Sequence, residues 1–306
     1  MHLKFTWGIC LLTLVIWVPF SKSFSQDGKI DSSFGTNGRV FDPPANFIIN
    51  GGNTISPRIL VTSDGKILHL SNTTDGLLMI RYLPDGAIDV SFGNGGTRTI
   101  PSANILDAIL LSDQKFLVLS SGYVVRRFTS EGIPDSTFDG DGITNSLIGG
   151  ASHGFAVQTD GKIVVVGSGV INGDETFMAV RYNEDGSVDN SFDADGVAQF
   201  NFNPGIDYAT AVAVQTDGKI VVAGIVSNSL PVYPGQSIFF NEFDAAIIRY
   251  LPNGSLDPDF GTGGTINFIT STYSKKRQEF WLKRMERLSL PATSTTMAIL
   301  MMPISL

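Results

Sequence analysis

Ala209-Thr-Ala-Val-Ala-Val-Gln-Thr-Asp-Gly-Lys-Ile-Val-Val-Ala-Gly224 reads as two apolar strands joined at Asp217-Gly218. An Asp-Gly pair between apolar runs is a hairpin signal, because glycine supplies the positive φ that a two-residue turn needs. Nearly the same words occur at Gly154-Phe-Ala-Val-Gln-Thr-Asp-Gly-Lys-Ile-Val-Val-Val-Gly167. Weaker copies sit at Ile59–Leu68 and at Ile109–Val118, where Gln114 stands in place of the turn glycine. The chain is therefore built from repeats.

Three further signals recur with the hairpin. An Asp-x-x-Phe loop closes on a glycine four residues later: Asp31/Phe34/Gly38, Asp89/Phe92/Gly96, Asp135/Phe138/Gly142, Asp189/Phe192/Gly196 and Asp257/Phe260/Gly264. An apolar strand ends in Arg-aromatic at Arg81-Tyr82, Arg127-Phe128, Arg181-Tyr182 and Arg249-Tyr250. A second turn follows at Asp85-Gly86, Glu131-Gly132, Asp185-Gly186 and Asn253-Gly254. In the last intact unit the pattern predicts strands Val197–Phe202, Thr210–Gln215, Lys219–Ile225 and Ala245–Leu251. Runs such as Ile-Val-Val-Ala are apolar on both faces and must be covered on both. Sheets stacked face to face around an axis achieve this.

The expected fold is thus all-β, a β-propeller-like array of four-stranded antiparallel blades. About four blades are encoded, near residues 39–83, 97–129, 143–183 and 197–251, with the start of a fifth at 265–273. Residues 26–38 form an entry segment with the first Asp-x-x-Phe loop. The Arg-aromatic pairs are read as an arginine at an edge strand and an aromatic under the seam between blades.

These residues together resemble the delta-60 repeat family of bacterial secreted proteins: Asp-Gly-Lys-Ile-Val-Val-Ala-Gly, then Arg-Tyr, then Asn-Gly-Ser-Leu-Asp-Pro-Asp-Phe-Gly. The resemblance spans about residues 39–268 and implies an exported or surface-attached propeller. It carries no catalytic residue across.

Both ends depart from the repeat. Residues 1–25 have the form of a secretory signal peptide, with Lys4, an apolar run Gly8–Phe20, and Ser23 and Ser25 before a cleavage point at Gln26. The run is short for a membrane span of about 20 residues. Cys10, the single cysteine, lies inside this segment, so the mature chain is expected to lack disulfides. Export to the cell surface or medium follows from this reading.

From residue 274 to 306 the composition changes: Lys275-Lys276-Arg277 and four methionines appear, with no glycine and no aspartate. This tail reads as a shifted frame. Back-translated two nucleotides along, Met285-Glu286 and Met297-Ala298 must each encode Gly, and Met301-Met302 must encode Asp. An Asp-Gly-Lys hairpin then falls as far after Gly264 as Asp217 lies after Gly196. On that reading the array is incomplete at its C-terminus.

The net charge of −8 over 306 residues disfavours nucleic acid and anionic membranes as partners. His69 and His153 have no Cys, His or Glu at metal-ligand spacing, and no nucleophile elbow, P-loop or dinucleotide fingerprint occurs. The repeated aspartates read as turn and loop anchors, since a catalytic pair is expected in one copy only. Asp139/Asp141 and Asp193/Asp195 place oxygen ligands at alternate positions, as calcium loops do. Other copies carry Gly or Asn there, which turn geometry alone explains. These four acids are weak calcium candidates, and no cofactor is expected. The insert Ser227–Phe243 is read as a self-packed loop. The functional expectation is a non-enzymatic scaffold for binding or surface display, toward glycans or surface proteins. The alternatives are a propeller hydrolase or lyase, and a truncated remnant of a longer repeat protein.

Overall fold

The computed structural model describes residues 30–40, 57–145, 148–171, 173–202, 205–231 and 239–268. The expected signal peptide and tail lie outside the described residues. The chain is all-β, with four antiparallel sheets formed in sequence order. The first contains β1 (Arg58–Val61), β2 (Ile67–Thr73), β3 (Gly76–Tyr82) and β4 (Thr97–Pro101). The second contains β5 (Asp107–Leu110), β6 (Phe116–Leu119) and β7 (Val125–Phe128). The third contains β8 (Ala151–Val157), β9 (Ile163–Ile171), β10 (Asp174–Tyr182) and β11 (Val197–Phe200). The fourth contains β12 (Asp207–Val214), β13 (Ile220–Pro231), β14 (Phe239–Tyr250) and β15 (Thr265–Phe268).

The blade boundaries differ from expectation by one strand. The segment after each Asp-x-x-Phe loop closes the preceding sheet and does not open the next. β11 pairs with β10, β4 with β3 and β15 with β14. Thr265–Phe268 is therefore the fourth strand of the fourth sheet, not the start of a fifth. The cause is local: Phe192 N–H donates to Asp189 O at 3.0 Å and Gly196 N–H to Phe192 O at 2.7 Å. These bonds curl the loop so tightly that the chain returns beside the strand it left. In the second sheet the returning segment makes only the Arg126–Ile143 bridge, and three strands remain.

The hairpin turns also differ in type. Gly218 N–H donates to Gln215 O and Gln215 N–H to Lys219 O. Only Gly218 of the Asp217-Gly218 pair has positive φ, +81°. This is a three-residue loop with one left-handed residue, the next most common hairpin form. Gln114 takes the same role at φ 69° without being glycine. The insert Ser227–Phe243 is likewise not a loop throughout. β13 and β14 stay in register from Ser227↔Phe243 to Pro231↔Phe239, so the hairpin extends into a two-stranded ribbon.

Each apolar core lies between two sheets. Val164 and Val166 of β9 pack with Ala209, Val222 and Ile248 of the fourth sheet. Their neighbours Ile163 and Val165 pack with Leu117, Leu119 and Val125 of the second. Leu70 and Met79 of the first sheet meet Phe116 and Phe128 of the second. The period-2 alternation of a strand thus sends successive side chains to opposite neighbours. That is why β6, β9 and β10 are buried along nearly their whole length. The first strands lie side by side: a Cβ at Gly154 of β8 would sit 3.1 Å from Thr210 O of β12. This is the arrangement of propeller blades.

The glycines of the second turns have a further duty. A Cβ on Gly254 would meet Asp193 N at 2.6 Å, whereas one on Gly263 would meet nothing within 4 Å. Both have positive φ, +90° and +60°. Gly263→Ala is expected to cost about 1 kcal/mol, the left-handed penalty alone. Gly254→Ala is expected to cost about 3 kcal/mol, because the loop of the third sheet must also move. Urea denaturation of the two variants checks the difference.

Candidate functional site

The four recurring motifs, far apart in sequence, converge on one cluster per sheet. In the third sheet Arg181 Nε donates to Asp189 Oδ2 at 2.6 Å, and Lys162 Nζ lies 3.0 Å from the same oxygen. The guanidinium of Arg181 sits 4.5 Å from the Phe192 ring centroid. Arg127, Asp135, Lys115 and Phe138 repeat this in the second sheet, with distances of 2.8, 3.0 and 4.6 Å. Arg81, Asp89, Lys66 and Phe92 do so in the first, and Arg249, Asp257, Lys219 and Phe260 in the fourth. In the three four-stranded sheets the arginine is on an inner strand, not at an edge; only Arg127, on the last strand of the three-stranded second sheet, lies on an edge strand. The motif arginine lies on the third strand with Arg181 and Arg81 buried, because its planar fork is needed against carboxylate, carbonyl and ring at once.

The same guanidinium reaches the next sheet. Arg81 Nη1 donates to Ser130 O at 3.0 Å and Arg127 Nη1 to Glu184 O at 2.7 Å, and Arg181 Nη1 donates to Pro252 O. Beside it, Asp139 N–H donates to Asp185 O at 2.6 Å and Asp193 N–H to Asn253 O at 2.8 Å. The cluster is thus a joint between sheets. The aromatic after each arginine faces the other way: Tyr182 packs into the core shared with the second sheet, where its hydroxyl donates to Tyr123 O at 2.9 Å. Burial pushes the Tyr182 phenol up to about 12.

All four carboxyls titrate low. Asp89 is brought to about 2 chiefly by the Ser91 hydroxyl, with burial opposing and Arg81 assisting. Burial pushes Asp135 and Asp189 up, but hydrogen bonds from Thr137 and Lys115, or from Ser191 and Lys162, outweigh it and leave both low. Asp257 is lowered first by Lys219.

The calcium candidates have other employment. Asp139 and Asp193 adopt φ of 48° and 49°, where Gly35, Gly93 and Gly261 have 57°, 56° and 58°. Asp and Gly interchange there because the position is left-handed, a conformation Asp tolerates. Asp141 Oδ1 accepts from Ile143 N–H, and Asp195 Oδ1 from Val197 N–H. Burial, then the Asp195 charge, raises Asp193. Among the described residues no three His, Cys, Asp or Glu side chains gather as a cation set. His153 Nδ1 lies 2.9 Å from Ala209 O and its ring 5.6 Å from that of Tyr208, so it links β8 to β12. His69, on β2, is lowered by burial.

What the sequence did not point to is a cleft of about 1000 Å³ between the second and third sheets, at their hairpin end. Ile109, Leu111, Lys115, Gln158, Asp160 and Glu184 are among its lining residues. Gln158 is 8% exposed, and its buried Oε1 has no hydrogen-bond partner. Its counterpart Gln215, in the same Gln-Thr-Asp-Gly-Lys words, is exposed.

Stacked sheets, first strands set side by side and a fourfold motif define a protein of the β-propeller class. Residues 62–92, 158–192 and 235–260 match DUF5122, a family described as a β-propeller domain of unknown function. No curated protein matches the chain.

Two outcomes follow from the joint. Arg181→Met leaves Asp189 buried with a single cation, and should destabilise the chain by about 3–5 kcal/mol in urea denaturation. Because the folded carboxyls lie below the unfolded value of about 3.9, their contribution is complete above that pH and is lost as pH falls toward about 2, the Asp89 value. The urea midpoint should therefore drop steeply between pH 4 and 2, and less steeply in Asp89→Asn.

Proposed function

We propose that the chain is an exported propeller scaffold of the delta-60 type, without catalytic activity, that binds a hydroxyl-rich ligand such as a glycan in the cleft between its second and third sheets. The observation that carries this reading is the buried, unpartnered Oε1 of Gln158 lining that cleft. An unmet buried acceptor costs about 1–3 kcal/mol, a cost that a ligand hydroxyl would offset. Lys115, Asp160 and Glu184 add donors and acceptors at the same opening, and Ile109 and Leu111 supply the apolar surface against which sugar rings pack.

The acids support the non-enzymatic part. Catalysis by a carboxylate pair needs two unlike environments in one place. Here the buried carboxyls of the joints recur four times in the same setting, each engaged by an Arg and a Lys.

Binding of the full chain to an immobilised glycan panel tests the reading. Retained ligands should lose about 10-fold or more in affinity with Gln158→Leu, while that variant melts at the same temperature or higher. Turnover of a glycan or ester by the purified chain, or retention indifferent to Gln158, would overturn it.

A further inference from the structure

One loop of the repeat carries its acid and its ring but, among the described residues, neither of the cations that hold them in the other copies. Phe34 N–H donates to Asp31 O, and Ser33 donates to Asp31 Oδ1 through its N–H at 2.9 Å. The equivalent bonds form the loops at Asp89, Asp135 and Asp189. The loop is docked as the others are. Gly35 N–H donates to Asp85 O at 2.7 Å, and a Cβ on Gly86 would sit 3.1 Å from Phe34 Cε2. It therefore occupies the place of the loop that a preceding sheet would deliver onto the first.

The difference lies in its cations. Asp89, Asp135, Asp189 and Asp257 each hold an Arg and a Lys. Among the described residues neither reaches Asp31, which is exposed. Among the described residues no guanidinium covers Phe34, which is half-buried, whereas Phe92, Phe138 and Phe192 are 0% exposed. The loop of the fourth sheet shows the converse. Arg249 holds Asp257 and Phe260, but among the described residues no following turn meets it, and Phe260 is again half-buried.

We propose that the Asp31–Gly38 loop, with Arg39 and Val40 behind it, is a docking edge for a three-stranded repeat segment bearing an Asp-Gly-Lys hairpin and an Arg-aromatic third strand. The occupant's chemistry is read from the filled joints. Its arginine pairs with Asp31 through Nε, covers the Phe34 ring, and donates through Nη1 to Pro84 O, the counterpart of Ser130 O, Glu184 O and Pro252 O. Its hairpin lysine approaches the same carboxylate, and its third strand pairs with Arg39-Val40 as β10 pairs with β11. A second copy of the folded chain cannot supply this, because all four of its motif arginines already hold their own acids. The occupant is a segment that has the strands but lacks an acid loop.

The probe is residues 150–188 fused to a soluble carrier, which contains β8 to β10 with Lys162, Arg181 and Asp185-Gly186. It should bind the full-length chain at one to one. Asp31→Asn in the chain and Arg181→Lys in the probe should each weaken binding by about 10-fold or more, and the two together no further. Asp31→Asn should leave the melting temperature of the chain alone unchanged. Should the isolated probe not fold, residues 150–187 joined directly ahead of Ile30 restore the spacing of Arg181 to Asp189. In that chimera Asp31→Asn should lower the melting temperature. Absence of binding by a folded probe, indifference to Asp31, or an equal effect of Asp31→Asn in chimera and parent would each overturn the proposal.

Discussion

A single guanidinium per repeat carries the geometry of this molecule. Held at Nε by a buried carboxylate and lying over a phenylalanine, it has one fixed orientation, and its Nη1 is then aimed at a carbonyl of the next sheet. Three directions are set by one planar group. A lysine in its place would supply charge without direction. The ion pair itself is not a large source of net stability, since burying charge costs about as much as the pairing returns. Its contribution is register: each sheet has one way to meet its neighbour, and the apolar faces are brought together only in that way.

Those faces supply the cohesion. Val164/Val166 and Ile163/Val165 belong to different cores although they alternate along one strand. Burial on both sides is possible only for sheets inside the stack, and the repeat is consistent with that demand. With one cysteine in its sequence the chain has no internal disulfide, so packing and ladder hydrogen bonds must provide the stability. At one seam the Tyr182 hydroxyl is satisfied from the adjacent sheet, by Tyr123 O.

Much of the recurrent acid that a search for chemistry meets in this sequence is spent on these joints and on turn geometry. Asp139 and Asp193 illustrate the ambiguity. A calcium loop and a left-handed turn ask for the same residue types at the same spacing, and only φ and the hydrogen-bond partners tell them apart. The hairpin carries a related ambiguity. Asp-Gly suits both the two-residue and the three-residue loop, and the distinction lies in whether Asp217 itself has positive φ.

The class of fold, the repeat and its four motifs were legible because they rest on local rules: alternation within strands, glycine at positive φ, and an aspartate capping its own loop. The partition of strands into sheets was not legible. Strand Val197–Phe200 reads equally well as a beginning or an end, and the tight return at Asp189–Gly196 decides for the end. Nor could sequence say that Asp-x-x-Phe, Asp-Gly-Lys and Arg-aromatic meet at one carboxylate oxygen, since polar contacts across 8 to 38 residues depend on how the strands pair. Gln158 and Gln215 mark the boundary most plainly. They stand in the same words, and one is buried beside a cleft while the other is exposed, because burial belongs to the neighbouring sheet and not to the residue.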